Sequence, residues 1–523
     1  MSTPGGLLRA NATVALGTLV SRITGFARFL LLLFLVSGDL NDSFNIANNL
    51  PNSLYELVIG GILTATLIPL FAEFADSRDH KATEAVVGTA MAAIMALTVL
   101  ATLLSPVIIW LSTRRIPPGV DAGHYRSVTT MFGFLLFPQI LFYGITFLAS
   151  ALLNARRRFR AAAWAPAINN VLVILIIGSL GGKTTKTTVD AAFESKSVVY
   201  TLGIASTLGI VAMGLMLWIA LRSSGLHLSL RPNRQHPAVQ RVLRLSTWTV
   251  GYTIANQVSL WIMSQLAVGH SRSGWTIYLF AFLLLQLPIG LLAMSVTTTF
   301  GPELARARLA HDRPRLIDRS HQGLRVLAAL LLPVGAGLCI LARPLIAIMA
   351  EHGKFANEDP TTLATTLAAF AVGLFSLGGY LFVLRVFYAH NDTRTPFALN
   401  VVENVINIVL GLILVGRYGV PGLAWSVTIA YTVTLVLALF SLDNKLKGIR
   451  LRELMGNLAR LALAAILTGE VAWLASRYIG SETGAGAVLR VAVGSIVGIA
   501  VYLGTLAFLK APELKSVRTL GRG

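Results

Sequence analysis

Disulfide chemistry is closed to this chain. Its single cysteine, Cys339, stands in an apolar run, so neither an intramolecular disulfide nor a thiolate metal cluster is available. Charge is scarce as well: 13% of the residues are Asp, Glu, Lys or Arg, where a soluble protein carries about 25%. With 55% apolar residues and a mean hydropathy of +0.71, the 523-residue chain reads as an all-α polytopic membrane protein. Acidic groups are the rarer sign, 23 against 43 basic ones, and the net charge is +20. A balance that basic would suit nucleic acid, but most of the arginines lie in short loops between apolar runs, as cytoplasmic loops require. Nucleic-acid binding is not expected.

Catalytic and nucleotide signatures are also missing. The nine histidines are scattered, without His-Glu-x-x-His spacing, and no Gly-x-Ser-x-Gly occurs. The nearest approach to a phosphate loop is Gly178-Ser179-Leu180-Gly181-Gly182-Lys183-Thr184, one residue short of the required spacing and with no strand before it. The expectation is a secondary transporter, not an enzyme, with no cofactor or metal and no ATPase motif.

What is present is a succession of apolar windows about 20 residues long, enough to cross a hydrocarbon core of about 30 Å. They number about fourteen: 12–36, 47–74, 86–112, 128–153, 163–180, 197–221, 243–268, 275–300, 324–347, 362–389, 396–415, 421–441, 455–478 and 487–509. The first is read as a retained span and not a signal peptide. Basic residues concentrate in alternate loops, among them Arg156 to Arg160, Arg231 to Arg244, Arg306 to Arg325 and Lys445 to Arg452. The positive-inside rule then places both termini in the cytoplasm of a multi-pass cell-membrane protein.

The chain resembles itself at an offset of about 235 residues: Leu153-Asn154-Ala155-Arg156 with Asn169-Asn170 pairs with Phe387-Tyr388-Ala389-His390 with Glu403-Asn404. Leu50-Pro51 likewise recurs as Leu287-Pro288. Two six-helix lobes follow, 1–221 and 244–441, joined by a basic cytoplasmic linker, 222–243. Residues 442–523 add two C-terminal helices and a short tail.

Polar residues inside spans are costly in lipid and therefore informative. Arg22 and Arg28 lie six apart, about 9 Å along a helix. The planar guanidinium fork suits a diphosphate, although snorkelling to headgroups would also place them. Asn45, Asn48, Asn49, Asn52 and Glu56 form one stripe at helical spacing, facing either a cavity or another helix. Pro51 is expected to kink that span, and Gly60-Gly61 to permit bending or close packing. Asn256, Gln257, Gln265 and Gln286 are further candidates, as packing amides or substrate contacts. Arg385 needs an anion, and Glu403 is its candidate mate. Asn400, Glu403, Asn404 and Asn407 together make an oxygen-rich face able to hold Na⁺ or exchange H⁺, or else to lock two helices.

Several of these pieces fall in an order similar to that of the MurJ/MviN family, lipid II flippases of the multidrug/oligosaccharidyl-lipid/polysaccharide exporter superfamily. The matching pieces are Ser21-Arg22-Ile23-Thr24-Gly25-Phe26-Ala27-Arg28, Leu50-Pro51-Asn52, Ala65-Thr66-Leu67-Ile68-Pro69, Leu136-Phe137-Pro138 and Leu153-Asn154-Ala155-Arg156-Arg157-Arg158-Phe159. Ala165-Pro166, Gly353-Lys354-Phe355 and Phe387-Tyr388-Ala389 leading to Asp392-Thr393-Arg394-Thr395-Pro396 continue the series. The resemblance implies a two-lobe transporter with a cationic cavity, exporting an undecaprenyl-diphosphate-linked peptidoglycan precursor by alternating access. It also implies functional roles for Arg22, Arg28 and Asp42, contact with membrane lipids, and cell-wall synthesis or division proteins as candidate partners. The chain departs from the family pattern at Phe29 and Gly60-Gly61, where many members are acidic, and at Tyr55-Glu56 and around Leu283, where many are basic. Arg385 then compensates for lost cations, or the cargo is another lipid-linked oligosaccharide. A cation-coupled drug exporter and a non-transporting scaffold are the remaining alternatives.

Overall fold

A computed structural model of the chain describes residues 4–56, 67–77, 79–156, 158–179, 188–224, 231–350, 360–390, 392–446 and 448–509. The Gly60-Gly61 bend, Gly353-Lys354-Phe355 and most of the phosphate-loop-like run lie outside the described residues. Among those described there is no strand. The first helices are α1 (Pro4–Leu35), α2 (Gly38–Tyr55), α3 (Leu67–Asp76), α4 (His80–Leu103), α5 (Ser105–Ser112), α6 (Ala122–Leu136) and α7 (Gln139–Ala155). There follow α8 (Phe159–Gly178), α9 (Val189–Ser195), α10 (Ser197–Arg222), α11 (Pro237–His270), α12 (Gly274–Pro288), α13 (Met294–Leu309) and α14 (Arg313–Ile340). The last are α15 (Ala342–Ala350), α16 (Pro360–Val372), α17 (Leu374–Ala389), α18 (Arg394–Tyr418), α19 (Val420–Leu446), α20 (Leu451–Arg477) and α21 (Gly484–Phe508).

Local chemistry explains many of the boundaries. Asp79, Asp121, Thr188 and Asp312 each accept a backbone N–H in the first turn of the helix that follows, satisfying a donor the helix cannot. Gly419, at φ 64°, ends α18 in a conformation that other residues rarely adopt. Before α18, Asp392 accepts from the Thr395 N–H at 3.0 Å and the Thr395 hydroxyl at 2.8 Å, and Lys445 bonds the same carboxylate. Burial opposes its charged form, but these donors outweigh it and hold the carboxyl at about 2. Their stabilisation is complete above the ordinary carboxylate pKa and is lost as pH falls from there through the folded-state value of about 2.

Eleven described helices are long and apolar enough to cross a bilayer, or twelve if α16 and α17, bent by 43°, make one span. Two of the fourteen expected segments account for the difference. The run 47–74 contains residues outside the described set, and the 34-residue α11 is diluted by Asn256, Gln257, Gln265 and several hydroxyl residues.

The chain divides into two compact units, one drawn from Met1–Ser273 and the other from Gly274–His352 and Ala356–Gly523. In the first, α1 packs on α8, α8 on α10, and α2 on α6. The Trp164 indole donates to the Thr13 carbonyl at 3.1 Å and the Asn170 amide to that of Ser21 at 3.1 Å, tying α8 to α1. The buried rings of Phe44 and Phe132 meet edge to face at 5.4 Å. In the second unit α18 packs on α19, α14 on α20, and α20 on α21. Its core holds Trp275, Phe280, Phe370, Tyr380, Phe382 and Phe387. Leu175, Ile219, Leu463 and Ile496 are among the apolar side chains left exposed on long helices, as lipid contact demands.

The division falls at 273/274, whereas the expected linker is 222–243. The reason is α11, which packs on α4 and α2 and whose Gln257 and Gln265 amides bond Glu56 and the Ser112 carbonyl of α5. By those contacts α11 groups with the first unit. Close packing elsewhere is equally specific: a Cβ on Gly323 of α14 would lie 2.1 Å from the Phe382 ring. Gly323→Ala is expected to cost about 2 kcal/mol through overpacking, seen as a lower thermal midpoint of the purified protein in detergent; an unchanged midpoint would show that the ring gives way freely.

Candidate functional site

The two halves of α2 have different surroundings. From Gly38 to Ala47 the helix is buried, with the Ser43 and Thr129 hydroxyls 2.9 Å apart and the Asn45 amide donating to Asn41 at 3.2 Å. From Asn48 to Glu56 it is half-buried apart from Pro51. Pro51 does not break it; α2 runs through to Tyr55, and Glu56 lies in a wider turn. The Asp39/Asp42 stretch, which reads as a loop in sequence, is the start of this helix.

Asp39 is 1% exposed and accepts the Ser37 hydroxyl at 2.5 Å, the Leu40 N–H at 2.9 Å and the Val189 N–H at 3.4 Å. The Arg272 guanidinium reaches it at 3.0 Å. Asp42, 0% exposed, lies within electrostatic reach of the buried Tyr125. Next to this end, the Gln265 amide bonds the Ser112 carbonyl. Asp39 was not singled out by sequence, since a polar residue after Ser37-Gly38 looks like loop.

At the other end of α2 a polar and aromatic cluster forms. The Gln257 amide of α11 donates to the Glu56 carboxylate at 2.7 Å, and the Asn52 amide to its other oxygen at 3.4 Å. The Tyr55 ring lies 5.5 Å from Tyr143 and 6.3 Å from Phe147 of α7. Arg28 of α1 is half-buried and within electrostatic reach of Tyr143, which also senses Glu56. Arg28, Asn52, Glu56 and Gln257 are thereby brought together, while Asn49 and Asn256 are half-buried on the same two helices, α2 and α11. Arg22 is exposed on α1. Tyr143 and Phe147, one turn apart, were missed; aromatic residues in an apolar run carry no signal until Tyr55 meets them.

In the second unit Asn400, Glu403, Asn404 and Asn407 are all buried, between 1% and 6% exposed. The Asn404 amide donates to the Asn400 carbonyl at 2.9 Å and the Ser426 hydroxyl to Asn407 at 2.8 Å. Glu403 lies within electrostatic reach of Tyr278. The expected pairing of Arg385 with Glu403 is not formed: Arg385 is exposed on α17, whereas Glu403 is 2% exposed on α18. The two side chains sit in different surroundings, one at the surface of α17 and one in the core, so they do not meet. Gln286 is exposed too, outside any described cluster.

The profile of the family described as Lipid II flippase MurJ matches residues 34–494. A probable lipid II flippase MurJ of Rhizobium meliloti is 25% identical over 98% of this chain and 96% of its own length. Lipid II flippase MurJ of Burkholderia cenocepacia is 30% identical over 84% of both chains. Among solved structures, a lipid II flippase MurJ in an inward closed conformation superposes with a TM-score of 0.76 at 21% identity, covering 95% of this chain and 98% of that one. An inward-facing multidrug-resistance MATE transporter of the MOP superfamily gives 0.69 at 13%, covering 82% and 95%. The structural matches establish a transporter fold, and the sequence match over most of the chain establishes the lineage: this multi-pass membrane protein belongs to the MurJ family of lipid II flippases.

Proposed function

We propose that this protein carries lipid II, a diphosphate-linked peptidoglycan precursor, from the inner to the outer leaflet of the cytoplasmic membrane by alternating access. Arg28 carries the reading: a half-buried guanidinium inside a span is costly unless an anion visits it, and a diphosphate fits its fork. The exposed Arg22 supplies further donors on the path, and Asp42 is buried on α2. The excess of basic residues in alternate loops supports cytoplasmic termini, on the side where the precursor is made. The polyprenyl tail would lie in the second unit, where an apolar cavity of about 830 Å³ opens between α14, α20 and α21, lined by Leu330, Pro333, Leu338, Gly469, Val491 and others.

The buried face of Asn400, Glu403, Asn404 and Asn407 is the proposed coupling site for Na⁺ or H⁺. Glu403→Gln should abolish stimulation of flipping by an imposed cation gradient in proteoliposomes while leaving lipid II binding intact; retained stimulation would remove Glu403 from coupling. A second reading, another lipid-linked oligosaccharide as cargo, is favoured by Tyr55 and Glu56 standing where many family members are basic. The lipid that co-purifies with the protein separates the two. A mass spectrum showing lipid II supports the first reading, and a different diphosphate-linked glycan supports the second.

A further inference from the structure

Tyr55, Tyr143 and Phe147 make a wall of three half-buried rings beside Glu56 and Gln257, and that combination is not what a diphosphate requires. A diphosphate calls for donors. This corner offers acceptors instead: the Glu56 carboxylate can accept about four hydrogen bonds and, among the described residues, receives those of Gln257 and Asn52. Gln257 spends its amide N–H on Glu56, which fixes the orientation of the side chain, and its carbonyl oxygen is left buried with no partner among the described residues. A buried acceptor without a donor is unfavourable until one arrives. A simple lock between α2 and α11 would leave that oxygen orphaned and would have no use for the rings.

Resting on the lipid II reading, we propose that this corner is a sugar subsite, in which the rings of Tyr55 and Tyr143 receive the apolar face of the hexosamine joined to the diphosphate, and Glu56 and Gln257 accept its hydroxyl and acetamido protons. The ring geometry supports it: Tyr55 and Tyr143 are tilted by 34° at 5.5 Å, and Phe147 stands edge-on to Tyr55 at 62°, a continuous aromatic surface of the kind a sugar's apolar face stacks on. The connectivity supports it as well. In the cargo the first sugar is bonded directly to the diphosphate, and Arg28 lies within electrostatic reach of Tyr143. Arg28 therefore holds the phosphates and the aromatic corner holds the adjoining sugar. The replacement of basic residues by Tyr55-Glu56 becomes a change of emphasis, from charge to sugar recognition.

The experiment compares binding of lipid II with binding of undecaprenyl diphosphate, which has the tail and phosphates but no sugar, to the full-length protein in detergent. Tyr143→Leu and Glu56→Gln should each weaken lipid II binding by about tenfold, the scale of one lost aromatic or hydrogen-bonded contact, and leave undecaprenyl diphosphate binding unchanged. Tyr143→Phe, which keeps the ring, should retain lipid II affinity. Equal weakening toward both lipids would reduce the corner to helix packing and overturn the proposal, as would no weakening toward lipid II. A wild-type protein that binds both lipids equally overturns the sugar subsite and leaves the diphosphate reading standing; one that binds neither removes both.

Discussion

Arg28→Ala should lower lipid II affinity by roughly two orders of magnitude, within the range of about 2–5 kcal/mol for removing one partner of a desolvated charge pair. Cells that depend on this protein should then fail to grow. The effect follows from position: Arg28 is half-buried on α1 beside Tyr143, where water cannot replace it fully. Lysine at the same place should recover only part of the affinity, since a point charge cannot pair with two phosphate oxygens as the fork does. Arg22 provides the control. It is exposed, so Arg22→Ala should act more weakly. Full complementation by Arg28→Ala would favour a scaffold that has kept the fold and lost transport.

The largest effect on stability is expected at Asp39. Its carboxylate is 1% exposed and gathers donors from Ser37, Leu40, Val189 and Arg272, so it joins the start of α2 to α9 and to the end of α11. Asp39→Ala leaves these donors facing an apolar side chain at a cost of about 3 kcal/mol. The thermal midpoint in detergent should fall by more than it does for Gly323→Ala. Arg272→Ala should cost less, because that side chain is 49% exposed and its charge can turn to water. Equal midpoints for wild type and Asp39→Ala would contradict the account of α2 as anchored through this carboxylate.

Much of the architecture was legible in the sequence because span formation is a local property. A run of about 20 apolar residues has few alternatives in lipid. The polar stripe was legible for the same reason: Asn52 and Glu56, four apart, must share a face, and they do bond. Contacts between helices were not legible. Glu403 looked like a mate for Arg385, but whether a cation on α17 points inward depends on packing, and Arg385 points out. The Asp39 stretch looked like loop because a buried carboxylate is recognisable only once Val189 and Arg272, over a hundred residues away, are in place. Tyr143 was invisible until Tyr55 was set against it. The polar content of α11 marked it as unusual, but not that Gln257 would reach Glu56.

The central claim, that the protein moves lipid II outward, is tested most directly by depleting it in cells that have no second flippase and labelling the lipid II exposed on the outer leaflet. The account predicts that exposed lipid II falls while the inner-leaflet pool rises. Unchanged exposure after depletion would contradict it.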